Sequence, residues 1–292
     1  MARRTSSNCS LLWHVSRWRW ARAESMSIQR IAAVALRQFY LMRGSPARVL
    51  PLFAWVAIDI VLWGYITRFL NEVSAAGLDF VPLLLGAVLL WDFFGRVMQG
   101  VTTTFFEDVW SRNFLNLFAT PISVGEYVGG LVVSSIITST VALFVMLALA
   151  SAVFGLSYFT YGLAFIPFLL VLFLFGIALG VFASATVLRL GPAAEWLIWP
   201  IPALLSPFVG VFYPLATLPE WMQVLAYALP PSYVFEGMRA LLAGGPFSVW
   251  ALLFGVVLAV LYVVGAGWFF VRVYRHAVRT GLLARYSAET VS

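Results

Sequence analysis

Three charged residues, Asp59, Asp92 and Arg96, lie inside stretches of this sequence that are otherwise apolar enough to sit in lipid. A charge near the middle of a bilayer costs about 2.5–3.5 kcal/mol on insertion scales, so each of them needs a partner or a task. Asp92 and Arg96 are one helical turn apart, and residue counting puts Asp59 at a similar depth. Three chemistries fit. Asp92 and Arg96 neutralise each other in a structural lock that Asp59 joins; the group marks a polar point on a transport pathway; or the carboxylates relay protons.

Other reactive groups are sparse. His14 and His276 are far apart and neither has a metal-ligand neighbour, so both read as surface histidines. Cys9 is the single cysteine, which excludes an intrachain disulfide. All 18 basic residues are arginine. A phosphate-binding loop of the form G-x-x-x-x-G-K-[ST] needs a lysine, so the chain carries no standard ATPase site. No catalytic residue, metal ligand or cofactor site is expected in it.

The elements that must position these charges are membrane spans. Of 292 residues, 62% are hydrophobic and only 10% charged, where a soluble domain carries about 25% charged residues. Apolar runs of roughly 20 residues recur, the length a helix needs to cross a hydrocarbon core of about 30 Å. The expectation is an all-α polytopic membrane protein with six spans near 49–69, 80–106, 127–154, 159–188, 194–213 and 247–271. The net charge of +6 implies no nucleic-acid partner, because the arginines sit at span ends.

Ahead of the first span, Ile28, Ile31, Ala35, Phe39 and Met42 form a helical stripe with Arg30 and Arg37 on another face. This predicts an amphipathic helix in the membrane interface, ended by Gly44-Ser45-Pro46; the alternative is a plain positive flank. Residues 1–25 read as a disordered basic tail without a signal-peptide core, Met26 offers a second start, 26–285 form one transmembrane domain, and 286–292 are a C-terminal tail. Nine arginines precede the first span, Arg112 and Arg189 lie in the second and fourth connections, and Arg272, Arg275, Arg279 and Arg285 follow the last span. Positive flanks mark the cytoplasmic side, so the chain is placed in the cell (inner) membrane with both termini in the cytoplasm. The outer loops 70–79 and 155–158 are short.

Two connections stand out. In 107–127, Trp110, Phe114, Leu117 and Phe118 recur at i, i+4, i+7 and i+8, one face of a short amphipathic helix. Glu107 precedes it, Asp108 and Arg112 lie on its polar face, and Pro121 ends it. Ser123-Val124-Gly125-Glu126 is a capping box for the third span. The helix either docks a cytoplasmic partner or packs against lipid.

The second connection is 208–242, too broken by Pro214, Pro219, Pro230 and Pro231 to cross as one helix and too apolar for an ordinary loop. Thr217 is placed to cap a helix, with Pro219 and Glu220 in its first turn; Trp221 lies on it. Pro230-Pro231 breaks it, and Ser232 precedes a second short helix carrying Glu236 and Arg239 at i, i+3. The result is a re-entrant helical hairpin at the outer leaflet. Pro200, Pro202 and Pro207 should kink the fifth span that leads into it.

These features together resemble the permease subunit of ABC exporters of the type-two membrane family. The resemblance rests on the interfacial helix, six spans with both ends inside, the loop Glu107, Trp110–Phe118, Thr120-Pro121-Ile122-Ser123 and Glu126, and the pattern Pro214-Leu215, Leu218-Pro219-Glu220-Trp221, Pro230-Pro231, Glu236-x-x-Arg239. It spans roughly residues 28–280. The chain departs from the family at Arg112-Asn113, where many members carry a small pair. The resemblance implies that 107–126 is the coupling helix seated on an ATPase, and that the hairpin caps the outer end of the pathway. It implies that two permease subunits, identical or different, pair above two copies of a separate cytoplasmic ABC ATPase, which holds the ATP and Mg²⁺. Outward movement of a lipid, drug or glycan-type substrate follows. A proton-coupled secondary transporter using Asp59 and Asp92, and an integral-membrane lipid-modifying enzyme, are the competing readings; the second would need clustered carboxylates or a membrane-embedded histidine.

Overall fold

Long apolar runs whose few prolines lie near their starts (Pro51, Pro82, Pro167) become long helices, and the proline-rich segment becomes a series of short ones. The protein is described here by a computed structural model, which covers residues 26–44, 46–73, 81–111, 117, 120–245 and 248–280, with side chains for all of these but 46–49, 51–53 and 158–160. The predicted tails 1–25 and 286–292, the outer-loop residues 74–79, and Arg112, Phe114 and Phe118 of the amphipathic loop helix lie outside the described residues.

Regular structure among the described residues is entirely helical. In chain order it comprises α1 (Ile28–Arg43), α2 (Pro46–Val73), α3 (Gly86–Trp110) entered through a π-helical turn at Val81–Leu85, α4 (Val124–Phe154), α5 (Phe165–Leu190), α6 (Ile201–Val209), α7 (Glu220–Tyr227), α8 (Pro230–Leu242) and α9 (Val249–Thr280). Among the described residues, four helical runs are long and apolar enough to cross a membrane: Val81–Trp110, Val124–Phe154, Tyr161–Leu190 and Val249–Thr280. Helix α2 has 28 residues, about 42 Å at 1.5 Å per residue, with Asp59, Arg68 and Glu72 interrupting its apolar run.

The stretch read as a fifth span is not one regular helix. It is 3-10 over Pro192–Leu197, turns through 198–200, and becomes α6 for nine residues. The chain keeps winding through Ile198 N–H to Glu195 O, Ile201 N–H to Ile198 O and Leu204 N–H to Pro200 O. Prolines at 200, 202 and 207 remove the amides a regular ladder would use. Gly210 then takes a left-handed φ of 67°, a conformation glycine adopts at little cost, and the run ends.

The core lies where α3, α5 and α9 meet. Gly176 and Gly180 form a G-x-x-x-G step on α5. A Cβ built on Gly176 would lie 2.9 Å from Val97 Cβ, and one on Gly180 would lie 2.7 Å from Val101 Cβ. The two valines of α3 thus sit in the groove the glycines leave, the close approach that apolar surroundings reward through packing. On its next face α3 meets α4, where Ser135 Oγ donates to Val97 O at 2.7 Å.

Helix α1 packs along α4. Val34, Ala35 and Gln38 are buried, so of the predicted stripe Ala35 turns inward, while Ile28 is 81% and Phe39 50% exposed. The polar edge carrying Arg30, Arg37 and Gln38 is drawn inward because carboxylates wait there.

Candidate functional site

The acidic residues that flank the 107–126 connection converge on α1. Glu126 begins α4 and closes the expected capping box: its N–H donates to Ser123 Oγ (3.2 Å) and its Oε2 accepts from Ser123 N–H (2.8 Å). Its other oxygen accepts from Ser27 N–H at 2.9 Å, ahead of α1, and Arg30 Nη1 stands 3.5 Å away. One carboxylate therefore joins the starts of two helices.

A second junction lies at the end of α3. Arg37 Nη1 forms an ion pair with Asp108 Oδ1 at 2.5 Å, and Tyr127 OH donates to Asp108 Oδ2 at 2.9 Å. Asp108 is almost wholly buried. Gln38 Nε2 donates to Glu107 Oε2 one residue earlier. Glu107, Asp108 and Glu126 thus clamp α1 across both ends of the connection. The clamp partners Ser27, Arg30, Arg37, Gln38 and Tyr127 were absent from the sequence-derived set. A seven-residue repeat of arginines on one face of α1 was their only signal.

Trp110 belongs to the last turn of α3 and not to the short loop helix. No glycine or proline interrupts the chain between Phe106 and Trp110, so α3 continues past 106. The indole is 56% exposed, and its Nε1 donates to Glu195 Oε2 at 3.1 Å while Trp199 Nε1 donates to Oε1 at 3.2 Å. This bond links the end of α3 to the 3-10 turn that follows α5. Leu117 is buried, and Thr120 N–H donates back to its carbonyl at 3.2 Å. Pro121 is exposed.

The hairpin has the expected two short helices, α7 and α8, with different caps. Thr217 does not cap α7; its Oγ1 donates to Pro214 O at 2.7 Å, and Pro219 occupies the N-cap position. Leu218 N–H closes a 3-10 turn on Leu215 O. Pro230 and Pro231 break α7 but also start α8 as its first residues, positions where a missing amide is harmless. Ser232 is accordingly inside α8, not before it.

Glu236 and Arg239 brace the hairpin. Arg239 Nη2 and Glu236 Oε1 are 2.9 Å apart. The same oxygen accepts from Leu215 N–H at 2.8 Å, and Arg239 Nη1 donates to Val211 O at 3.4 Å. Trp221 on α7 is 63% exposed and lies near Phe208, ring centres 6.5 Å apart. Below, α8 buries Val234, Phe235 and Met238 against the core.

The mid-span charges are not locked together. Arg96 Nη1 donates to Gln99 Oε1 at 3.3 Å. Asp92 Oδ2 is buried with no hydrogen-bond partner among the described residues. Asp59, half-buried on α2, and this pair act on one another through space. The closed Asp92–Arg96 pair expected from their spacing is absent from the described contacts. No group of three or more His, Cys, Asp or Glu side chains placed to hold a metal occurs among the described residues.

Residues 29–243 match the family model described as ABC-2 type transporter. The curated proteins contain no match to the chain.

Proposed function

The chain belongs to the ABC-2 type transporter family, and we propose that it is the permease subunit of an ATP-driven exporter, moving a lipid, drug or glycan-type substrate outward across the cell membrane. Family membership makes it a membrane subunit of an ABC transporter that associates with an ABC ATPase. The direction of transport, the substrate and the assembly are our reading.

In that reading α2 and the 192–209 run complete six spans with the four long apolar runs, and both termini face the cytoplasm. Two permease subunits pair above two ATPase subunits. The 107–126 connection seats on the ATPase through Phe114 and Phe118, while Leu117, buried in the core, ties it to the protein. ATP-driven closure of the ATPase pair pushes on this connection. The carboxylates at its two ends pass the displacement to α1, α3 and α4 together, since Asp108 and Glu126 bind α1 from the termini of α3 and α4. At the outer side the braced hairpin α7–α8 covers the exit.

The observation that carries this reading is the position of the clamp: Asp108 and Glu126, both buried and each bound to α1, border the connection that would receive the push. The test is ATP-dependent transport by vesicles containing the chain and its ABC ATPase. Phe114→Glu together with Phe118→Glu is expected to abolish transport while the chain remains inserted and pairs normally. Unchanged ATP-dependent transport in that variant would remove the coupling assignment.

A further inference from the structure

One exposed face of α9 changes its chemistry along its length. Trp250, Val257, Leu261, Val264 and Trp268 follow one another at steps of seven, four, three and four, and all are exposed. Such steps keep to one side of a helix. Continuing at four, three and four, the same side presents Arg272, Arg275 and Arg279, also exposed. Val273, Tyr274 and Ala277, on the other side, are buried against the protein.

The two tryptophans give this face a depth. Trp250 and Trp268 are five turns apart, about 27 Å at 1.5 Å per residue, close to the hydrocarbon thickness of about 30 Å. Tryptophan favours the two membrane–water interfaces, so the pair marks the edges of the apolar layer. Arg272 stands about 6 Å beyond Trp268, in the headgroup layer, and Arg275 and Arg279 about 10 and 16 Å beyond it. The Arg272 guanidinium lies 5.4 Å from the Trp268 ring centre. Helical side chains lean toward the N-terminus of their helix, which for α9 is back toward the bilayer.

Helix α5 adds a further cation. Phe175 meets Tyr262 and Phe182 meets Phe269, ring centres 5.2 and 5.1 Å apart. The two helices therefore run parallel and in step. Seven residues on in each stand Arg189 and His276, both exposed. Among the described residues no carboxylate pairs with Arg189, Arg272, Arg275 or Arg279. A positive flank that only sets orientation needs charge on no particular side. Here the charges continue the side that the apolar row exposes to lipid. A second copy docked symmetrically on this face would set two arginine rows of equal depth against each other, whereas anionic headgroups complement them.

We propose that Arg272, Arg275 and Arg279, flanked by Arg189 and Trp268, bind the phosphate of an anionic phospholipid whose acyl chains lie along the row from Trp268 to Val257. This goes beyond the permease reading and uses it only to name the leaflet as cytoplasmic.

The test is electron spin resonance of the purified full chain in phosphatidylcholine bilayers, with phosphatidylglycerol or phosphatidylcholine carrying the same acyl spin label. The wild type is expected to hold phosphatidylglycerol in preference. Each arginine contributes up to about fivefold in association, so Arg272→Gln, Arg275→Gln and Arg279→Gln combined bring phosphatidylglycerol down to the phosphatidylcholine level. The corresponding triple Lys variant keeps the preference, a result that misfolding does not mimic. Added inorganic phosphate leaves the preference unchanged. Equal association of the two lipids with the wild type, or a preference that survives the triple Gln change, would overturn the site. Displacement of the labelled lipid by inorganic phosphate would reassign the row to a soluble anion. A triple Gln variant that keeps the lipid preference but no longer retains an ABC ATPase would assign the row to a protein surface instead.

Discussion

Arg37 of α1 and Asp108 at the end of α3 lie 2.5 Å apart, 71 residues from each other in sequence, with the carboxylate almost fully buried. Tyr127 of α4 holds the other carboxylate oxygen. Three helices therefore meet on one charge, at the mouth of the connection assigned to coupling.

Removing the arginine alone leaves that charge buried with Tyr127 as its described partner. Arg37→Ala should lower stability by about 3 kcal/mol, the order found for breaking one side of a buried pair. Arg37→Ala with Asp108→Asn should recover part of the loss, because the stranded charge is gone. Thermal unfolding of the detergent-purified chain by intrinsic fluorescence reads both. A double variant as unstable as the sum of the singles would mean that the two residues do not act as a pair.

The hairpin brace is read at a single amide. Leu215 N–H donates to Glu236 Oε1, and a hydrogen bond to a charged group contributes about 1.5 kcal/mol or more. Glu236→Gln should speed hydrogen exchange at Leu215 about tenfold while amides of α9 keep their protection. Exchange unchanged at Leu215 would show that the turn at 211–215 is held by other contacts.

Packing at the G-x-x-x-G step predicts opposite signs at two sets of glycines. Gly180→Ala forces a methyl to 2.7 Å from Val101 Cβ and should destabilise by about 1–3 kcal/mol. Gly267→Ala, on α9 with nothing within 4 Å of its would-be Cβ, should be neutral or stabilise by up to about 1 kcal/mol. The comparison uses the same thermal unfolding assay, and equal effects at both positions would contradict the α3–α5 contact.

Orientation is open to a labelling test in a Cys9→Ser background. Trp221→Cys, at an exposed position of α7, should react with a membrane-impermeant maleimide added outside intact cells. Leu190→Cys, exposed at the end of α5, should react only after permeabilisation. The opposite pattern would invert the topology and move the hairpin away from any exit.

The sequence made the helical class and the two short helices parted at Pro230-Pro231 legible, because each has a local cause. Apolar runs long enough to span, the Pro230-Pro231 pair and the Ser123–Glu126 box act within a few residues of themselves. What it concealed was pairing at a distance. Ser27 meets Glu126 across 99 residues and Gln38 meets Glu107 across 69, and nothing in either segment alone names its partner. The apolar spacing of α1 likewise said nothing of its polar partners: carboxylates elsewhere drew the edge carrying Arg30, Arg37 and Gln38 inward. Thr217 and Ser232 had the right types for caps, but the carbonyl of Pro214 and the fixed φ of two prolines competed better. Asp92 and Arg96 had ion-pair spacing; Gln99, one turn beyond Arg96, took the guanidinium.

The central claim is that the 107–126 connection of this permease is driven by a separate ABC ATPase. A photo-crosslinking amino acid at position 114 of the full chain, activated in membranes of the cells that make it, tests this most directly, with the crosslinked protein identified by mass spectrometry. The account predicts an adduct with an ABC ATPase whose yield changes when ADP is trapped on the ATPase by vanadate after hydrolysis. An adduct with lipid alone, or with a protein on the outer side of the membrane, would contradict it.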